Sequence, residues 1–365
     1  MTAAELAARL AERAAAADRA GALPQDDVAD LRASGYLALA SPTAFGGAHA
    51  PLRTVVEAQT TLAAGSAATA LVAAMTLMLV GNARDTDAWI DERERLYRLV
   101  QEGALLNAVA SEPAMGSPSH GGLPATELRT GSDGRTLHGH KTWATGGEHL
   151  THLLVLARDG DRAVQVVVRN HAPGVRWRTT WGDGLSLRAS DSHDVTFDHV
   201  RVEPADVLRL RQGPKVRNVW FTLLVAATYL GSAVAARDAL VAYARERVPS
   251  ALGHPIAELP ALRRGVGEGQ VALHVARATL HDAAAAWDAR RAGADSDAEI
   301  AKVACVQAAT RVTEGALRLA GGEGLGSGLA LERHFRDARA GFAHPPSSDA
   351  VHMRQASLLL DPSTD

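Results

Sequence analysis

The stretch RDARAGFAHPPSSDAV at residues 336–351 combines a histidine, two prolines and two carboxylates. The prolines fix the backbone directly after His344, and Ser347 and Asp349 can cap the helix that is predicted to follow. A neutral imidazole in such a loop can donate one hydrogen bond to a bound molecule or accept a proton from it. A lone histidine is more often structural, so His344 is a candidate and not yet a site.

Two further stretches have residues that could bind a planar ligand. ASEPAMGSPSHGG, residues 110–122, is a predicted strand end that runs into a loop whose amides and hydroxyls are free for hydrogen bonds. In GHKTWATGGEH, residues 139–149, Trp143 and Thr145 are two residues apart on a predicted strand, so one face would offer an aromatic ring and a hydroxyl. A polar surface loop and a core-covering tryptophan are the alternative interpretations.

The stretch RLAGGEGLGSG, residues 318–328, is rich in glycine and could approach a phosphate. It follows a predicted helix and not a strand, so a dinucleotide-binding fingerprint is not supported, and a helix C-cap explains at least one glycine. No Ser-His-Asp order, P-loop or metal-ligand spacing is present. His193 and His199 are separated by a strand and have no matching carboxylate, so no metal site is predicted.

The periodicity of the chain changes twice. Residues 2–103 have helical spacing, residues 104–208 form short runs of Val, Leu and Thr with turns between them, and helical spacing returns after residue 214. This order predicts an α+β fold that is mainly α. The expected domains are an N-terminal helical domain at 1–103, a central β-domain at 104–211 and a C-terminal helical bundle at 212–365.

Composition excludes several classes of protein. The 38 basic and 41 acidic residues give a net charge of −3 without any block of like charge, so neither a nucleic acid nor a lipid surface is expected as partner. The single cysteine, Cys305, rules out an internal disulfide and reads as a buried thiol. No signal peptide is recognisable, and the apolar run at 67–80 is too short to cross a bilayer, which predicts a cytoplasmic protein.

Six motifs in order resemble the acyl-CoA dehydrogenase superfamily, and the likeness covers nearly the whole chain. They are LRASGYLALASPTAFGGA, ASEPAMGS, HGHKTWATGG, GDGLSLRASDSHDVTFDHVRV, YARERVPSALGHPIAELP and LRLAGGEGLGSGLALERHFRDAR. The resemblance implies an N-terminal helical domain, a central β-barrel-like domain, a C-terminal four-helix bundle, and a homodimer or homotetramer.

The resemblance also implies a cofactor and its ligands. The cofactor would be FAD, with FMN as the alternative. The flavin ring would be bound by the backbone of Ala110, the hydroxyls of Ser111 and Thr145, and the indole of Trp143. The phosphate and adenine parts would be bound by Ser117, Arg247 and, from a neighbouring subunit, Gly321 and Gly322.

The catalytic base of the dehydrogenases is missing. Their glutamate corresponds to Pro345, and the other known location corresponds to Thr222, so neither position can remove a proton. Asp349 is the nearest carboxylate, but a capping role is expected for it. A histidine in this loop resembles the flavin-dependent monooxygenase branch, in which His344 and Thr145 would stabilise the oxygen adduct of the flavin. A second histidine of some members has no match in ALVAAMTLMLVGN, residues 70–82.

The leading prediction is therefore an oxygen-using monooxygenase that hydroxylates a small molecule at carbon or nitrogen, with a separate flavin reductase as a candidate partner. One alternative is an acyl-thioester dehydrogenase or oxidase with Asp349 or His344 as a relocated base. Another is a non-catalytic relative that serves as an interaction module. The substrate pocket is expected to be lined by Met75, Met78, Phe221 and Thr222.

Overall fold

The computed structural model describes residues 1–86, 88–114, 122–132, 134–210 and 217–361. Five helices precede the sheet: α1 Ala3–Ala20, α2 Gln25–Ala33, α3 Leu52–Gly65, α4 Ala67–Asp85 and α5 Arg93–Gln101. Eight strands follow: β1 Leu106–Val109, β2 Glu127–Gly131, β3 Gly134–Ala144, β4 His152–Asp159, β5 Arg162–Arg169, β6 Val175–Arg178, β7 His193–Val202 and β8 Val207–Arg209. The later helices are α6 Val219–Glu246, α7 Pro260–Asp288, α8 Ala294–Ala320, α9 Leu331–Ala338 and α10 Ser348–Leu360.

Local signals in the sequence explain where several helices begin and end. The side chain of Thr2 accepts from the backbone N–H of Glu5 while the Glu5 carboxylate accepts from the backbone of Thr2, which forms a capping box at the start of α1. The same helix ends at Gly21 in the left-handed region. Ser347 caps α10 by accepting from the N–H of Ala350, as the sequence predicts.

The eight strands form one mixed sheet in the order β6-β7-β3-β2-β4-β5-β8, and β1 pairs in parallel with β4. β4 and β5 pair in antiparallel register over their full length. β3 pairs with β7 and shifts register twice, between Leu137 and Gly139 and between Lys141 and Ala144. The second shift lies inside the predicted ring-binding motif.

The described chain forms two compact units. The first contains Met1–Pro51, Ala68–Gly184 and Arg188–Trp220, and therefore the sheet with α1, α2, α4 and α5. The second contains Leu52–Ala67, Leu185–Leu187 and Phe221–Asp365. The predicted fold class is confirmed, with helices at both ends of the chain and a sheet in the middle. The boundaries at 103/104 and 211/212 stay predictions.

The second unit is built on the long helices α7 and α8 and on α6 from Phe221 onward. α7 and α8 pack along one another through alanine and leucine positions, and α3 packs against α7. Leu240 of α6 packs in one hydrophobic cluster with Ala316 and Ala320 of α8. Gly231 allows α6 to approach α3 closely, because an added Cβ would collide with the carbonyl oxygen of Thr60. Small side chains thus let the helix backbones lie near one another.

The expectation that the apolar run at 67–80 is too short to cross a bilayer was wrong about length. The run at 67–80 continues as helix to Asp85, so α4 is long and apolar enough to cross a bilayer, and α6 passes the same test. Most of both helices is buried within the protein, as in core helices of soluble proteins. Length alone therefore decides nothing for these two helices.

Candidate functional site

A buried ion pair holds the strand end at residues 110–112. Nζ of Lys141 lies 2.7 Å from Oε1 of Glu112 and 3.2 Å from the carbonyl oxygen of Ala110, and both charged side chains are buried. The Glu112 carboxylate also accepts from the backbone N–H groups of Ala125 and Thr126. The pair thereby ties the end of β1, the segment leading to β2 and the middle of β3 together.

The charges of this pair stabilise each other. Burial alone would raise the pKa of Glu112, but hydrogen bonds from Lys141 and Thr126 outweigh it and lower the pKa to about 2. Burial lowers the pKa of Lys141, and the Glu112 carboxylate offsets part of this effect. Both residues lie in motifs singled out from the sequence, yet their types gave no indication that they pair.

Trp143 and Thr145 differ in exposure, contrary to the expectation of one shared strand face. Trp143 has a φ of +56° at the second register shift and is 57% exposed, whereas Thr145 is buried just beyond the end of β3. The alternation of a regular strand does not apply across a bulge. Oγ1 of Thr145 lies 2.9 Å from Oγ of Ser192, which lies 2.8 Å from Oγ of Ser190.

Ser111 lies next to this bulge. Its carbonyl oxygen accepts from the backbone N–H of Thr142, one residue before the exposed indole of Trp143. The structure therefore brings Ala110 and Ser111 next to the bulge. Ser117 lies in 115–121, outside the described residues.

The residues predicted to bind the adenine half lie at one end of the bundle. Leu240 and Tyr243 of α6 share a hydrophobic cluster with Ala316 and Ala320 of α8, so the carboxyl ends of these helices lie together. Arg247 follows α6 and Gly321 follows α8 directly, and both are exposed. Gly321 has a φ of +63°, and an added Cβ at Gly321 or Gly322 would meet no atom within 4 Å.

His344 is held by a neighbour that the sequence did not suggest. Nδ1 lies 2.6 Å from the hydroxyl oxygen of Tyr229 and 3.2 Å from the carbonyl oxygen of Ala340. Burial, together with the Lys302 cation, lowers the pKa of His344 to about 4, although the contact with Ala340 acts in the opposite direction. The imidazole is therefore neutral near pH 7.

The His344 loop, residues 341–346, is fixed by a buried lysine. Nζ of Lys302 donates to three carbonyl oxygens, at 2.9 Å to Gly341, 2.8 Å to His344 and 2.9 Å to Pro346. These bonds satisfy all three N–H groups of an ammonium. Gly341 permits this close packing, since an added Cβ would lie 2.9 Å from Val306 and 3.3 Å from Tyr229.

One sequence signal could have found this lysine. The chain has only three lysines, Lys141, Lys215 and Lys302, and an apolar helix face is an unusual place for one of them. Lys215 lies outside the described residues, and the two others are fully buried. Tyr229 had no comparable signal, because it reads as one more apolar residue of α6.

Of the predicted pocket residues, Phe221 lies near His344, whereas Met75 and Met78 belong to the first unit. The ring of Phe221 lies 6.3 Å from that of His344, centroid to centroid, and Thr222 is buried beside it in sequence. Met75 and Met78 are buried in α4 of the first unit. The proximity of Phe221 to His344 supports its place beside the candidate catalytic group.

The candidate bases are not well placed for proton abstraction. Asp349 is exposed in the first turn of α10, where a carboxylate favours the helix dipole. Pro345 and Thr222 have no basic group.

One prediction about histidines was wrong. His199 does have a carboxylate partner, since its Nδ1 lies 2.7 Å from Oδ1 of Asp198, and His138 completes a cluster that could hold a metal ion. The first register shift of β3 brings these residues together, which spacing along one strand could not show. Arg176 already pairs with Asp198 at 3.1 Å, and His199 is exposed.

Family profiles match three successive parts of the chain. The profile described as acyl-CoA dehydrogenase, N-terminal domain, matches residues 1–88, the middle domain matches 107–200 and the C-terminal domain matches 220–342. The chain belongs to the acyl-CoA dehydrogenase family. It is therefore a flavin-dependent oxidoreductase, and the predicted alternative of a non-catalytic interaction module is not supported.

The names of individual relatives are of two kinds, acyl-CoA dehydrogenase and nitrososynthase. YdbM of Bacillus subtilis (strain 168), provisionally named an acyl-CoA dehydrogenase, is 34% identical over 96% of the chain and 93% of its own length. L-evernosamine nitrososynthase of Micromonospora sp. is 29% identical over 98% of the chain and 89% of its own length. The structure of KijD3 in complex with FMN and a dTDP-amino-keto sugar is 27% identical, covers 99% of the chain and 93% of its own, and has a TM-score of 0.81.

The described residues of this family member fit a flavin. An exposed indole in the left-handed region beside the strand end at Ala110 and Ser111 is costly for a protein with nothing to stack on it. Open backbone at Gly321 and Gly322 suits the approach of a phosphate or sugar. A flavin bound at the strand end of Ala110 and Ser111 would be oriented by β3 and by the segment that the Glu112–Lys141 pair fixes.

Proposed function

We propose that the chain is a flavin-dependent monooxygenase that uses dioxygen to hydroxylate a small molecule at carbon or nitrogen. The observation that supports it most is the neutral imidazole of His344, directly before Pro345, the position that corresponds to the glutamate base of the dehydrogenases. A neutral imidazole can donate a hydrogen bond to bound oxygen, but it replaces a carboxylate base only poorly in an apolar site.

Each group has a role in this proposal. Reduced flavin supplies the two electrons that activate dioxygen, of which one atom enters the substrate and the other leaves as water. The segment at Ala110 and Ser111, with Thr145 and Trp143, binds and orients the ring. His344 would donate a hydrogen bond to the bound oxygen, and the ring of Phe221 lies 6.3 Å from its imidazole.

The cofactor and substrate class follow as parts of the same proposal. Arg247 and the backbone at Gly321 and Gly322 favour FAD, bound across a homodimer or homotetramer interface, whereas the KijD3 complex makes FMN the alternative. An amine is the first substrate class to test, because one relative is a nitrososynthase and KijD3 was solved with an amino-sugar nucleotide. A separate reductase would deliver reduced flavin.

Desaturation of an acyl thioester is the second candidate function, because YdbM is the relative with the higher identity. The two functions differ in what reduces the flavin. We would load the protein with flavin, exclude oxygen and add straight-chain and branched acyl-CoA thioesters while following flavin absorbance. The monooxygenase proposal predicts that no thioester bleaches the flavin within minutes. Rapid bleaching would contradict it and support a dehydrogenase.

A further inference from the structure

The hydroxyl of Tyr229 is fully buried and has one neighbour that can take its proton. Burial raises the pKa of Tyr229 far above its ordinary value, so the phenol keeps its hydrogen at any working pH. Within the described ranges, Nδ1 of His344 at 2.6 Å is the one hydrogen-bond partner of this hydroxyl. A buried donor without an acceptor is costly, so the distance is best explained by the phenol donating to a bare Nδ1.

The competing acceptor near Nδ1 is already in use. The carbonyl oxygen of Ala340 accepts from the backbone N–H of Ala343 at 3.1 Å and of His344 at 3.3 Å. These two bonds occupy both lone pairs of that oxygen. A proton on Nδ1 would therefore gain a third, weaker bond at 3.2 Å and would leave the Tyr229 hydroxyl without an acceptor.

We infer that Tyr229 is a positioning residue that selects the tautomer of His344 with a bare Nδ1 and a protonated Nε2. Nε2 has no hydrogen-bond partner in the part of the chain that the structure describes. The selected tautomer makes this nitrogen a donor, which is the role that the proposed function needs. The consequence for oxygen rests on that proposed function, whereas the tautomer itself does not.

Lys302 fixes the backbone that carries the His344 imidazole. Its bonds to the carbonyls of Gly341, His344 and Pro346 hold the backbone on both sides of the imidazole. They fix the backbone from which the imidazole extends, and rotation of the side chain would break its bond with the buried Tyr229 hydroxyl. Phe221 and Tyr229 lie two helical turns apart on α6, with centroids 6.3 and 5.8 Å from the imidazole, and so limit its rotation.

Without the Tyr229 hydroxyl, the tautomer preference of His344 should reverse, so that Nδ1 and not Nε2 carries the proton. In Tyr229→Phe the bare Nδ1 would have no donor and would lie 3.2 Å from the partly negative Ala340 oxygen. Protonation of Nδ1 would replace this repulsion with the weak third hydrogen bond. Nε2 would then be an acceptor. A matched control lies on the same helix, since Oγ of Ser232 is 3.0 Å from Nδ1 of the buried His334, so Ser232→Ala removes a hydroxyl from a different histidine.

The test is solid-state NMR of the full chain labelled with ¹³C and ¹⁵N in histidine, without flavin, with His344→Asn used to assign the signals. Correlations of Nε2 with Cδ2 and of Nδ1 with Cγ report which nitrogen carries the proton. We expect a protonated Nε2 in the wild type and in Ser232→Ala, and a protonated Nδ1 in Tyr229→Phe. A protonated Nδ1 in the wild type, or an unchanged tautomer in Tyr229→Phe, would overturn the assignment.

A second readout connects the tautomer with oxygen. In the flavin-loaded protein, Tyr229→Phe should shorten the lifetime of the transient species formed on mixing reduced protein with oxygen by about tenfold, the effect of one hydrogen bond, and Ser232→Ala should leave it unchanged. An equal lifetime in Tyr229→Phe would contradict the role of Tyr229. No transient in the wild type, combined with the expected NMR result, would reject the proposed function and leave the tautomer assignment standing.

Discussion

Nζ of Lys302 lies 2.8 Å from the carbonyl oxygen of His344, fully buried and with no carboxylate beside it among the residues that the structure describes. An ammonium that is neutralised by carbonyl dipoles alone remains expensive to bury. The loop that carries His344 is thus fixed by the Lys302 ammonium, whose burial lowers the free energy of unfolding. Such an arrangement is retained where the geometry of the loop matters more than its stability.

The free energy of unfolding should depend on pH through Lys302. Burial lowers its pKa to about 8 from 10.5, so between these values the unfolded chain binds a proton that the folded chain does not. Raising the pH through this window therefore favours the folded state, by on the order of 3 kcal/mol in total. Urea unfolding at pH 7 and pH 10 gives the free energy of unfolding of the wild type and of Lys302→Met. The contribution of Lys302 is the change with pH in the difference between these two free energies. A difference that stays constant with pH would refute it.

The Glu112–Lys141 pair should be essential for the strand end that leads into the flavin loop. Glu112→Gln leaves the Lys141 ammonium buried without its counter-charge, which is expected to lower the free energy of unfolding by about 3–5 kcal/mol. Glu127→Gln is the matched control, because Glu127 pairs with Arg129 and Arg158 near the surface and its loss should cost far less. Equal effects in urea unfolding would show that the buried pair has no special role.

The exposed indole of Trp143 should contribute to flavin binding. Trp143→Ala removes the flat surface and should raise the Kd for flavin about tenfold or more, whereas Trp143→Phe keeps a ring and should retain most of the affinity. Fluorescence quenching of free flavin by the flavin-free variants measures both constants. Unchanged affinity in Trp143→Ala would mean that the indole does not contact the cofactor.

Two variants separate the candidate catalytic groups. Asp349 is exposed at the start of α10, so Asp349→Asn should leave turnover within about twofold, whereas removal of a true general base lowers turnover by about 100-fold or more. His344→Ala should shorten the lifetime of any oxygen adduct. Turnover of both variants is measured on whichever substrate the wild type accepts. Loss of activity in Asp349→Asn alone would make that carboxylate the base.

Most of the fold could be predicted from periodicity, because the changes of spacing near residues 104 and 214 are visible in the sequence. The flavin-loop motifs were also recognisable. What could not be predicted depends on residues far apart in the chain, such as the 2.6 Å contact between Tyr229 and His344. The exposure of Trp143 was missed for another reason, since a bulge reverses strand alternation without a clear sequence signal.

The most direct test of the monooxygenase proposal is to reduce the flavin-loaded protein without oxygen, mix it rapidly with oxygenated buffer and record absorbance spectra. The proposal predicts a transient spectrum distinct from both reduced and oxidised flavin, with a lifetime that falls in His344→Ala. Direct return to oxidised flavin with no transient, in the wild type, would contradict the proposal and favour an acyl-thioester dehydrogenase or oxidase.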